Sequence, residues 1–209
     1  MGRYTGPKCK LCRREGEKLF LKGERCFTGA CAVERRNSAP GAPPRMRRGR
    51  KASIYGQRLR EKQKAKRIYR LRERQFRNYV ERAKRVRGAV TGDQLLLLLE
   101  RRFDNIVFRA GLAGSRDQAR QLVGHGHFTV NGRSMDLPSY LVNPGDEIAV
   151  KENARSKAGL KEMLEGKSKS SVPAWLERFD DGVRVLDQPQ VSELEHTIKT
   201  NLIVEYYSR

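Results

Sequence analysis

The chain has 209 residues, with 45 Lys or Arg against 24 Asp or Glu and a formal net charge of +21. So much like charge on one body repels itself and calls for a polyanion. A membrane partner is set aside: the longest aliphatic run, Leu95–Leu99, falls far short of a span, and Met1-Gly2-Arg3-Tyr4 opens no secretory signal, so the cytoplasm is the expected location.

The charge is not evenly spread. Residues 1–34 carry net +4, residues 35–87 net +18 and residues 88–209 net −1, a localised footprint of the kind nucleic-acid binders show.

Residues 1–34 form the first region and hold every cysteine: Cys9-x2-Cys12, thirteen residues, then Cys26-x4-Cys31. In a reducing compartment, two close pairs across a short loop bring four thiolates to one tetrahedral ion better than they make disulfides. Zn2+ is the expected metal, in a closed structural site. Four thiolates equally suit a 4Fe-4S cluster, which the spacing leaves open. The alternative, four unligated buried thiols, fits poorly because little apolar material is there to bury them.

Residues 35–52 read as an extended basic arm. Pro40, Gly41, Pro43, Pro44 and Gly49 preclude regular structure, while Arg45, Arg47, Arg48, Arg50 and Lys51 offer charge to phosphates and would order on binding. Residues 53–90 keep helical spacing in Tyr55/Leu59, Ile68/Leu71 and Phe76/Tyr79/Val80/Ala83. This predicts amphipathic helices near 53–70 and 73–86, whose open faces present Tyr55, Arg58, Lys62, Lys64, Arg67, Arg70, Arg74 and Arg77. A solvated charge run would lack such an apolar stripe.

Residues 91–180 change character. Thr91 or Asp93 caps a helix through Leu95–Leu99 that continues to Arg109 and stops at Gly111. For Arg109, contact with RNA and pairing with Asp104 or Asp117 are competing readings. Ser115 caps the next helix, with Gln118 completing a capping box. There Arg116 and Arg120 share a face near Gln121, and the first turn offers N–H groups to a phosphate. His125, His127 and Asn131 project from the loop after this helix; for the histidines a packing or turn role is the competing reading. Asn131-Gly132 is a strong hairpin signal between Phe128-Thr129-Val130 and Arg133-Ser134-Met135, and Pro144-Gly145-Asp146 precedes a strand at Glu147–Val150. Residues 152–170 read as a helix and a Ser/Lys loop, Val183–Leu186 and Leu202–Tyr206 as strands or extended runs, and Ser192–Lys199 as a helix. The fold class is α+β.

The run Asp104-Asn105-x-Val107-x-Arg109-x-Gly111, Ser115-Arg116-x-Gln118-Ala119-Arg120-Gln121-Leu122-Val123-x-His125-Gly126-His127-x-x-Val130-Asn131-Gly132 and Pro144-Gly145-Asp146 resembles the S-four type of RNA-binding module. That module also occurs in some pseudouridine synthases, a tyrosyl-tRNA synthetase class and a heat-shock protein. Leu59–Lys64, Arg74–Asn78, Met1–Tyr4, Glu205–Arg209 and the cysteine knuckle extend the resemblance, over essentially the full length, to the S-four family of bacterial small-subunit ribosomal proteins. The family often reads Pro-Gly-Gln-His-Gly where this chain has Pro40-Gly41-Ala42-Pro43-Pro44. The resemblance implies that residues 181–209 complete the 53–90 domain around an inserted module. It also implies small-subunit rRNA as partner, bound early in assembly at a multi-helix junction, contact with ribosomal protein S-five, a place near where mRNA enters the subunit, and no small-molecule substrate. An RNA-modifying enzyme would need a catalytic domain that residues 151–209 are too short to supply. A free RNA- or DNA-binding regulator is the other alternative.

Overall fold

The computed structural model describes residues 4–36, 38–41, 53–156, 161, 172–190 and 197–208. The arm residues Arg45, Arg47, Arg48, Arg50 and Lys51, most of 152–170 and residues 192–196 lie outside them. The chain divides into a discontinuous unit, residues 1–95 with 195–209, and a continuous one, residues 96–194.

In the first unit, α1 (Lys8–Glu15) ends at Gly16, a 3₁₀ turn spans Gly23–Phe27, and α2 is Ala32–Arg35. Helix α3 (Ile54–Ile68) starts where Ser53 Oγ accepts from the Gly56 N–H at 3.1 Å. It ends where Arg70 adopts a left-handed φ of 56° and the Leu71 N–H reaches back to the Lys66 carbonyl at 2.9 Å. Helix α4 is Glu73–Lys84, and it buries Phe76, Tyr79, Val80 and Ala83, the stripe its spacing predicts.

Leu202–Tyr206 is a helix and not a strand. With Ile203 and Val204 side by side the segment has strand propensity, but that preference is weak beside packing: residues Thr200–Tyr206 lie against α3 and fully bury Ile203.

Helix α5 (Thr91–Glu100) runs across the division between the units. Its Gln94 N–H donates to the Val90 carbonyl at 3.1 Å, so Thr91 and Asp93 sit inside the first turn and neither is the cap.

The second unit interrupts the helix expected to continue to Arg109. Arg102 is extended (φ −65°, ψ 137°) and α6 starts afresh at Phe103–Arg109. The cause is non-local: the Val142 N–H donates to the Arg101 carbonyl at 3.0 Å, and the Phe103 N–H to the Tyr140 carbonyl at 2.9 Å. Helix α7 (Arg116–Gly124) comes next, then β1 (Phe128–Val130), β2 (Arg133–Met135), β3 (Glu147–Val150), a short α8 (Glu152–Arg155), β4 (Leu176–Phe179) and β5 (Gly182–Val185). The helix at Thr200–Tyr206 is α9.

The strands form one antiparallel sheet in the order β2-β1-β3-β5-β4. Asn131 (φ 50°) and Gly132 (φ 76°) make the two-residue turn between Val130 and its partner Arg133. Strand β5 therefore belongs to this sheet and not to the helical domain that residues 181–209 were expected to complete. Phe103, Ile106, Val107, Ala119 and Val123 of the helices pack with Phe128, Ile148 and Val183 of the sheet in one core.

Candidate nucleic-acid interface and cysteine cluster

Helix α1 places Cys9 and Cys12 one turn apart, Cys26 lies in the 3₁₀ turn, and Cys31 directly precedes α2. All four are free thiols lining one cavity of about 20 Å³. Cys12, Cys26 and Cys31 are buried and Cys9 is half-buried. Burial pushes the Cys12 thiol up, and the charge of the other three cysteines adds to it against a hydrogen bond from the Leu19 backbone. The Lys22 N–H donates to Cys26 Sγ at 3.4 Å. In donor chemistry and enclosure the cluster fits a four-thiolate ion. As they stand, no three cysteine, histidine or carboxylate groups among the described residues are close enough to grip one.

The basic residues of α3 split into two kinds. Lys62 and Lys64, expected on the open face, are only 4 % and 6 % exposed. This corrects the expectation: their ammonium groups are spent inside the unit. Lys62 Nζ bonds Glu73 Oε1 at 2.7 Å and lies over the Tyr206 ring, 4.3 Å from its centroid. Lys64 Nζ donates to the Thr197 carbonyl at 2.5 Å and pairs with Glu17 at 2.6 Å.

Arg67 and Arg60 both pair with the buried Glu15 carboxylate. Burial raises the Glu15 carboxyl against the pull of those two arginines, and lowers the Arg67 guanidinium. Arg58 pairs with Glu205 at 2.5 Å, Arg70 donates to the Tyr4 carbonyl at 2.9 Å, and the exposed Tyr55 ring sits 5.8 Å from that of Tyr206.

Helix α4 is different. With Phe76, Tyr79, Val80 and Ala83 turned inward, Arg74, Arg77, Arg82 and then Arg85 and Arg87 stand exposed. Arg77 pairs with Glu81 one turn on at 2.9 Å. Arg74, Arg82, Arg85 and Arg87 have no acceptor among the described residues. The last three were not singled out from sequence, although the stripe itself marks them as its complement.

The second unit holds its charges in a buried network. Arg102 grips Asp104 with two bonds of 3.0 and 2.6 Å. Arg120, expected beside Arg116 on an RNA-facing side, is buried with Asp104 at 3.2 Å. The Arg109 guanidinium bonds both oxygens of the buried Glu100 at 2.9 Å, a partner the sequence did not point to. Arg116 donates to Asn105 Oδ1 at 2.8 Å and lies over the Phe108 ring.

Ser115 Oγ accepts from the Gln118 N–H, and Gln118 Oε1 accepts from Gly114, one residue before the cap that a capping box would bond. Asn131 bridges to Asp146 and to the Glu147 N–H, so its side chain closes the β1–β3 edge. His127 is buried, with its ring edge-on to that of the exposed His125. Gln121, His125, Asn131, Arg133 and Ser134 are the polar side chains exposed between the end of α7 and the hairpin.

Residues 3–100 match the family described as ribosomal protein S4/S9 N-terminal domain, and residues 101–148 match the S4 domain. The chain is 53 % identical over 211 aligned positions to the small ribosomal subunit protein uS4 of Pelotomaculum thermopropionicum, covering all of both chains. Proteins of the same name from Desulforamulus reducens and Desulfitobacterium hafniense match at 52 % and 51 %, again over the whole of each chain. The two family matches meet between Glu100 and Arg101, at the end of α5. The chain belongs to the uS4 family of ribosomal proteins, which are structural RNA-binding proteins and not enzymes.

Proposed function

We propose that this protein is a structural constituent of the small ribosomal subunit in the bacterial cytoplasm, a primary binder of small-subunit rRNA at a multi-helix junction early in assembly. The open arginine face of α4 carries this reading. Arg74, Arg82, Arg85 and Arg87 are exposed without an intramolecular acceptor among the described residues, in the part of the chain holding net +18. Cations left unpaired in this way are available to phosphates, whose contacts supply affinity and fix position. The sequence at 37–52 adds five further Arg or Lys residues. Contact with ribosomal protein S-five, a place near where mRNA enters the subunit and an influence on translational accuracy rest on family membership.

Cys9, Cys12, Cys26 and Cys31 would hold a zinc ion that fixes the fold of residues 1–34. The donor set and the shared cavity support this, and the same donors would take a 4Fe-4S cluster.

The test is binding to the 5′ domain of small-subunit rRNA against an unrelated structured RNA of equal length, over a salt series. A preference for rRNA that survives high salt is expected. Equal affinities that collapse together would make the charge a general polyanion grip and favour a regulator outside the ribosome.

A further inference from the structure

Phe20 and Phe27 stack on each other, with ring centroids 4.9 Å apart and planes at 27°. Aromatic pairs of this kind normally sit in a core, yet Phe27 is 74 % exposed and Phe20 39 %. The backbone is shaped to keep them outside. Phe20 has a φ of 49°, a conformation bulky residues seldom adopt, while Leu19 and Leu21 on either side are buried. The reversal at Phe20 thus sends both leucines inward and leaves the ring out. Lys22 and Arg25, each within two residues of one of the rings in sequence, are exposed.

We infer that Phe20 and Phe27 form a platform on which one unpaired base of the bound RNA stacks, with Lys22 and Arg25 taking the flanking phosphate. A flat apolar surface edged by cations matches a nucleobase and its backbone. Two rings are a small fraction of what a stable protein interface needs, which favours a base over a protein side. The inference rests on the RNA-binding function proposed for the chain and adds a ligand subsite to it.

The full-length protein is titrated with an oligoadenylate of about eight nucleotides carrying one 2-aminopurine, and with a fully paired RNA duplex of equal length. F27L is expected to weaken oligoadenylate binding about tenfold, within the lower half of the range for one base stacked on an aromatic side chain, and to abolish the quenching of 2-aminopurine. Duplex binding should not change, and F27W should restore both affinity and quenching. Because Phe27 is exposed, circular dichroism of F27L should match that of the native chain.

Unchanged oligoadenylate binding by F27L would overturn the platform, as would an equal loss on both RNAs. So would native RNA binding by F27L with poor incorporation into subunits, which would put a protein on the patch. A native chain that binds rRNA selectively but not oligoadenylate sinks the platform alone, whereas loss of rRNA selectivity sinks the function beneath it.

Discussion

The Tyr207 hydroxyl donates to Glu73 Oε1 at 2.7 Å, on the carboxylate that also takes Lys62 at 2.7 Å and Lys66 at 3.0 Å. Three donors on one carboxylate join the end of α9 to the first turn of α4 and to α3. Burial of Tyr207 and the neighbouring Glu73 carboxylate raise its phenol well above the usual range.

Burial opposes ionisation of Glu73, but the hydrogen bonds from Lys62, Tyr207 and Lys66 prevail and hold its carboxyl at about 2, against an ordinary 4.5. The folded state therefore binds this proton less readily than the unfolded state. The stabilisation is complete above pH 4.5 and is lost as pH falls towards 2. With the side chain 46 % exposed, screening reduces the contribution to about 1 kcal/mol. Urea unfolding at about pH 6 and about pH 3 should show E73Q less stable than the native chain at the higher pH, with the gap narrowing at the lower.

Lys62 and Arg74 belong to adjacent helices and should respond oppositely to alanine. R74A should leave the urea midpoint unchanged, weaken rRNA binding and lower the slope of log affinity against log salt by about 1. K62A should lose about 2 kcal/mol of stability, because it removes a buried partner of Glu73, and leave the salt slope alone once refolded. Filter binding over a salt series beside urea titrations separates the two.

Gly182 opens β5, where an added Cβ would meet the Ile148 carbonyl at 2.0 Å and Phe179 at 2.7 Å. The β3 backbone cannot yield cheaply at that distance. G182A should cost about 3 kcal/mol, read as a lowered melting temperature of residues 96–194 expressed with their flanking helix.

Removal of bound metal should unfold residues 1–34 and spare the rest. Chelation should be followed by protease cleavage within 1–34, a modest loss of helical circular dichroism and an otherwise intact product. C12S and C26S should reproduce that pattern without chelator. Metal analysis of the native protein should return one zinc per chain, and a visible absorption band would name an iron–sulfur cluster instead.

Local chemistry made part of this fold readable. The stripe Phe76/Tyr79/Val80/Ala83 sets α4, Asn131-Gly132 sets the hairpin, and Ser115 caps α7, since each depends on residues within a few positions. The features that escaped depend on distant partners. The break at Arg102 is imposed by Tyr140 and Val142. The burial of Lys64 comes from Thr197, 133 residues away, and no periodicity distinguishes a cation that will find a carbonyl from one left in solvent. The helix at Thr200–Tyr206 needed α3 to override its β-branched residues. The open face of α4 was legible in principle, because a helix whose apolar side is known has its polar side fixed.

The seating of α9 on α3 sets an order of manufacture. Some 130 residues separate the two helices in the chain, and they emerge from the synthesising ribosome on the order of ten seconds apart. Over that interval α3 lacks α9, and Lys62 and Lys64 stand without Tyr206, Tyr207 and the Thr197 carbonyl that later enclose them. Residues 96–194 have by then been delivered in one continuous piece and can settle first. The nascent chain thus shows the polymer that makes it a more cationic α3 than the finished protein keeps.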